Sequence, residues 1–157
     1  MWQKIKPWLL SVALSLSVGG LSALTTRDNM DLSGVTMPPL PPPPVVFPIV
    51  WGALFLLMGI SAARVWLRRE GDPAPASAGL AAYASSLVVN FTWSIIFFNF
   101  RAFFAAFLWI FLLWFLILRT ILLYRRVDRA AALLQIPYLL WVTFAAYLAG
   151  GVWLLNR

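Results

Sequence analysis

The chain has 157 residues, 62% of them hydrophobic and only 11% charged, whereas a soluble domain carries about 25% charged residues. It contains no histidine and no cysteine, which excludes disulfides, thiolate metal sites and imidazole proton shuttles. The net charge of +7 flanks apolar runs, as basic loops beside a membrane do, so it does not imply a nucleic-acid partner.

Five apolar stretches, at about 8–24, 45–67, 80–100, 102–124 and 131–155, hold almost no charge. About 20 apolar residues in a helix cross the ~30 Å hydrocarbon core. With no water there, every backbone group must bond within its own segment. The expected fold is an all-α membrane protein, a bundle of five transmembrane helices forming one domain over residues 1–157, with the lipid bilayer as its solvent.

The first stretch, MWQKIKPWLLSVALSLSVGG, has a basic start, an apolar run and small residues at its end, a pattern shared with cleaved signal peptides. Its Ser11, Ala13, Ser15, Ser17, Gly19 and Gly20 also suit close helix packing in lipid. A loop over 25–44 follows and ends in MPPLPPPPVVFP at 37–48. Consecutive prolines fix φ and remove donors, so Pro41–Pro44 are expected in stiff polyproline II. That run reads either as a rigid lid leading into helix 2 or as a docking motif for aromatic-grooved partner domains.

Helix 2 opens at Trp51. The next loop, RREGDPAPASAG, is an ordinary turn. In helix 3, Ala78, Ala82 and Ser86 recur every fourth residue, a small-residue stripe expected at or near a homodimer interface. Asn90 and Trp93 share a face of the same helix. An unpaired amide in hydrocarbon is costly, so Asn90 must face the bundle, either bonding another helix or facing a ligand. Helix 5 carries Trp141 near Pro137. Trp51, Trp93 and Trp141 are candidates for lining a cavity, whereas Trp2, Trp8, Trp66 and Trp153 fit the interfacial aromatic belt.

All five acids, Asp28, Asp31, Glu70, Asp72 and Asp128, lie between the apolar stretches. No carboxylate sits at mid-membrane, where ion- and proton-coupled carriers place one. There is no acid–base pair, nucleophile set or phosphate loop. Nine of the twelve basic residues fall before helix 1 or at the 2–3 and 4–5 junctions. The positive-inside rule then places the N-terminus in the cytoplasm and the C-terminus outside.

Three stretches carry a resemblance: VVFPIVWGALFLLMG at 45–59, YASSLVVNFTWSIIFF at 83–98 and LLQIPYLLWVTFAAYLAGGVWLLN at 133–156. In order and spacing they resemble the signature stretches of the translocator protein or tryptophan-rich sensory protein family (TspO/MBR), in a divergent bacterial-type form. The resemblance implies retention of helix 1, a usually dimeric bundle in the bacterial inner membrane, and a pocket beneath the helix 1–2 loop. It implies a receptor or transport role toward porphyrins of the protoporphyrin IX type or other hydrophobic small molecules, with no cofactor required. Some bacterial members are credited with light-dependent porphyrin breakdown. A scaffold acting through the proline-rich loop and a dimer surface is the other reading.

By resemblance, Trp51, Asn90, Trp93 and Trp141 are ligand contacts, with Ala145 and Tyr147 further along the matched stretch. Where the family loop carries a lysine and two tryptophans, this chain has Met37, Leu40 and Val45. These changes put any porphyrin chemistry that needs a lid indole in doubt. The family's cholesterol motif is broken, because the basic residue nearest after Val142 and Tyr147 is Arg157. Without histidine or cysteine, stacking of metal-free porphyrin is expected rather than axial haem ligation.

Overall fold

A computed structural model describes residues 1–157. The helices are α1 Trp2–Thr26, α2 Val46–Arg68, α3 Pro73–Ser94, α4 Phe103–Val127 and α5 Arg129–Leu155, with a 3₁₀ turn at Arg27–Asn29 and no strand. All five are long and apolar enough to cross a membrane. In space the order is α1, α2, α5, α4, α3, with α3 closing back on α1. The main core gathers Phe55, Met58, Tyr83, Leu87, Ile110, Leu113, Tyr138 and Val142 from α2 to α5.

α3 begins seven residues earlier than hydropathy predicts. Pro73 stands at its first position, where a missing N–H is no loss because that donor has no intrahelical partner. Helical bonding is in place by Ala76, whose N–H donates to the Asp72 carbonyl at 3.2 Å. A Pro/Ala/Ser stretch of low hydropathy thus extends the helix beyond the apolar core. At its other end α3 runs into a π-helical turn, Ile95–Asn99, and the chain turns into α4 through Arg101 at φ 49°.

The small residues of α1 meet α2. Ser11 Oγ donates to the Gly59 carbonyl at 2.8 Å and Ser15 Oγ to the Phe55 carbonyl at 2.6 Å. A Cβ on Gly59 would lie 2.6 Å from Val12 Cα, so the two backbones touch only because Gly59 has none. The small-residue stripe of α3 is used differently from expectation. Ala82 and Ser86 are buried inside the protomer, and Gly79 receives the Tyr124 ring of α4. Packing within the bundle has consumed the face expected to bind a second copy.

Asp128 fastens the end of the bundle opposite the 25–44 loop. Its carboxylate accepts from the Ala130 N–H at 2.9 Å and the Ala131 N–H at 3.3 Å, capping α5. Arg64 Nε donates to it at 2.9 Å, and Arg68 pairs with the same oxygen. Burial opposes ionisation, but the Arg64 and Ala131 hydrogen bonds and the two guanidinium charges outweigh it. The carboxyl is therefore held below its usual range.

A depressed folded-state pKa stabilises above the unfolded value, near ~3.9, and that stability is lost as pH falls through the folded value. Thermal unfolding in detergent should show this loss below about pH 4. Asp128→Asn should cost ~1–2 kcal/mol at neutral pH and flatten the acid limb. An unchanged acid limb in Asp128→Asn would place that titration elsewhere.

Candidate ligand-binding site

Aromatic rings from α2 and α5 interleave beneath the 25–44 loop. Phe47 and Trp51 lie one turn apart on α2, and Tyr138 and Trp141 one turn apart on α5. Phe47 meets Trp141 edge to face at 5.9 Å between centroids, and Trp51 meets Tyr138 at 6.2 Å. Trp51 also leans on Phe55 at 5.7 Å. Both indoles are half-buried against the main core, as is Ala145, one turn beyond Trp141. Such offset and edge contacts suit ring quadrupoles, at ~0.5–1.5 kcal/mol per pair beyond area burial.

Asn90 reaches this cluster from α3. It is 3% exposed, and its Nδ2 donates to the Tyr138 hydroxyl at 2.7 Å. The interhelical bond is thus formed, and it sets the Tyr138 ring against Trp51. Trp93 stands apart. Its indole N–H donates to the Ala106 carbonyl of α4 at 3.1 Å, and its ring stacks on Phe97 at 5.2 Å. Phe97 belongs to a second apolar cluster with Ala106, Ala149 and Val152, on which Leu32, Val35 and Met37 of the loop rest. Trp93 therefore packs on both the main core and the cluster that supports the loop.

The loop is tied down at several points. Thr36 N–H donates to Asn156 Oδ1 at 2.9 Å, and Asn156 Nδ2 donates back to the Thr36 carbonyl at 2.8 Å. Arg101 donates to the Asp31 carbonyl at 3.1 Å and Asn99 to the Thr25 carbonyl at 3.0 Å. Pro38 is buried on α5, where a Cβ at Gly151 would come within 2.5 Å of it. Tyr147 is 46% exposed, and its hydroxyl donates to the Pro39 carbonyl at 2.7 Å. That bond ties the lid to α5, and the Tyr147 ring stacks near Phe144 at 6.1 Å.

Leu40 sits at φ 63° and is 83% exposed. A left-handed residue therefore separates Pro38 and Pro39 from the Pro41–Pro44 run. Val45 is exposed too, so of the three lid departures only Met37 faces the bundle. Trp153, near the end of α5, packs on Phe107 at 5.8 Å and Phe104 at 4.8 Å of α4.

Four residues of this region went unselected in the sequence: Phe47, Tyr138, Pro38 and Asn156. Tyr138 had a usable signal, because it precedes Trp141 by three residues on one helix face. The result is a pair of half-buried indoles, Trp51 against Tyr138 and Trp141 against Phe47, beside the buried Asn90–Tyr138 hydrogen bond. It offers flat apolar contact and one directional polar group.

A model of the TspO/MBR family matches residues 11–154. The chain is 35% identical to the tryptophan-rich protein TspO of Chlorobaculum tepidum, over 99% of each chain. It is 40% identical to protein CrtK of Rhodobacter capsulatus, over 73% of this chain and 71% of that one. It is 33% identical to the translocator protein of Ovis aries, over 96% and 92%.

Proposed function

The chain belongs to the TspO/MBR family, and on that footing we propose that it is a membrane receptor for a flat apolar ligand, a metal-free tetrapyrrole of the protoporphyrin IX type. The observation that carries this reading is the aromatic wall of Phe47, Trp51, Tyr138 and Trp141, with Asn90 bonded behind it. A macrocycle would stack on the two indoles and take one hydrogen bond from the amide or phenol. Trp93 would support the far side through Phe97, and Ala145 would leave room beside Trp141.

Titration of the purified protein with protoporphyrin IX, read by the Soret band, should saturate at a fixed stoichiometry per chain. Linear uptake matching that of protein-free micelles would contradict the reading. Illuminating the complex decides between a receptor and a porphyrin-degrading enzyme: a Soret band that persists marks a receptor.

In this reading the protein sits in the bacterial inner membrane with its N-terminus in the cytoplasm, because the basic residues gather at the end where α1, α3 and α5 begin. Single cysteines at Ser33 and Ser77 should then label from opposite sides, Ser77 from the cytoplasm. Labelling of both from one side would sink this topology. A homodimer is part of the reading too, through a surface other than Ala78, Ala82 and Ser86. Light scattering of the detergent complex at the mass of one chain would remove it.

A further inference from the structure

At the end of the bundle opposite the loop, the α2–α3 turn leaves a groove of about 440 Å³ lined by Trp66, Arg69, Glu70, Pro73, Ser77 and Leu80. The Arg69 guanidinium lies 4.2 Å from the centre of the Trp66 ring, and its Nη1 donates to the Trp66 carbonyl at 2.6 Å. Those two contacts hold a long side chain in one place. No carboxylate neutralises it, because Asp128 is taken by Arg64 and Arg68. Glu70, next in sequence, has no cationic partner either. The groove thus presents a fixed cation and a separate carboxylate, unpaired with each other.

Ser77 is exposed on the first turns of α3 and makes no hydrogen bond within the protein. Trp66 is 47% exposed, and Leu67 beside it is also open. An indole at the end of a spanning helix marks the level of lipid headgroups. A ligand suited to this lining has an anion and a cation a few bonds apart, joined to an apolar tail.

We propose that the groove binds a phospholipid whose headgroup carries a phosphodiester and a primary ammonium, phosphatidylethanolamine. The phosphate sits on Arg69 and the Ser77 hydroxyl, the ammonium on Glu70, and an acyl chain runs along Trp66 and Leu80. Phosphatidylglycerol supplies the phosphate but leaves Glu70 without a cation. Phosphatidylcholine supplies a cation with no N–H to donate to the carboxylate.

The test is native mass spectrometry of the delipidated full chain in detergent, mixed with the three lipids at equal concentration and with matched acyl chains. Phosphatidylethanolamine should be retained preferentially. Arg69→Gln should weaken its retention about tenfold, or ~1.4 kcal/mol, and Glu70→Gln should abolish the preference over phosphatidylglycerol. Ser77→Ala, a change on an exposed surface, should weaken retention about threefold without altering helical content, so the proposal stays testable if Arg69→Gln misfolds. Equal retention of the three lipids marks annular lipid only and overturns the proposal. Undiminished phosphatidylethanolamine binding by folded Arg69→Gln and Ser77→Ala does the same.

Discussion

Trp141→Ala is expected to weaken protoporphyrin binding about thirtyfold while leaving the bundle folded. The indole is half-buried and its near neighbours are rings, Phe47 at 5.9 Å and Phe144 at 5.5 Å. Removing it takes away a stacking contribution of ~0.5–1.5 kcal/mol and apolar burial of similar size. Together these come to ~2 kcal/mol, about thirtyfold in Kd. Trp2→Ala is the matched control, because Trp2 is 67% exposed at the start of α1. Trp153 cannot serve as that control, since it packs on α4. Equal losses from Trp141→Ala and Trp2→Ala, with both proteins folded, would show that the tetrapyrrole sits on the lipid surface.

Asn90→Ala is expected to weaken binding about tenfold and to lower stability by ~1–3 kcal/mol. The second effect arises because the hydroxyl of Tyr138, a residue 1% exposed, loses its Asn90 partner. Two roles are mixed in this residue, and a double-mutant cycle with Tyr138→Phe separates them. If Asn90 meets the ligand directly, Asn90→Ala costs affinity in both backgrounds. If it serves only to orient Tyr138, the cost disappears once the hydroxyl is gone. Stability should recover in the double variant, because removing both partners of a buried hydrogen bond is far cheaper than removing one.

The architecture was readable from the sequence because hydrocarbon imposes one demand on every span. Each apolar stretch lies on one of the five helices, with α1 beginning six and α3 seven residues before its stretch, and the TspO/MBR resemblance in NFTW and PYLLW is borne out by the family match. The start of α3 was not readable from hydropathy. Proline is a breaker in a helix interior but tolerated in a first turn, and hydropathy cannot tell the two apart.

Asn90 was legible as a buried amide, but its partner was not, since only folding places Tyr138 of α5 opposite it. The Ala78–Ala82–Ser86 stripe signalled close packing without saying against what, and the bundle itself supplies the answer. Leu40 shows the same limit from the other side. Alignment with a lid tryptophan says nothing about the backbone, and here Leu40 stands at φ 63° and is 83% exposed.

The most direct test of a ligand site between α2 and α5 is a crystal structure of the protein with protoporphyrin IX. The macrocycle should lie beneath residues 25–44, with its face against Trp51 and Trp141 and an edge within hydrogen-bonding distance of Asn90 or Tyr138. A tetrapyrrole bound on the outer face of α4, with the Trp51–Tyr138 and Phe47–Trp141 contacts unchanged, would contradict it.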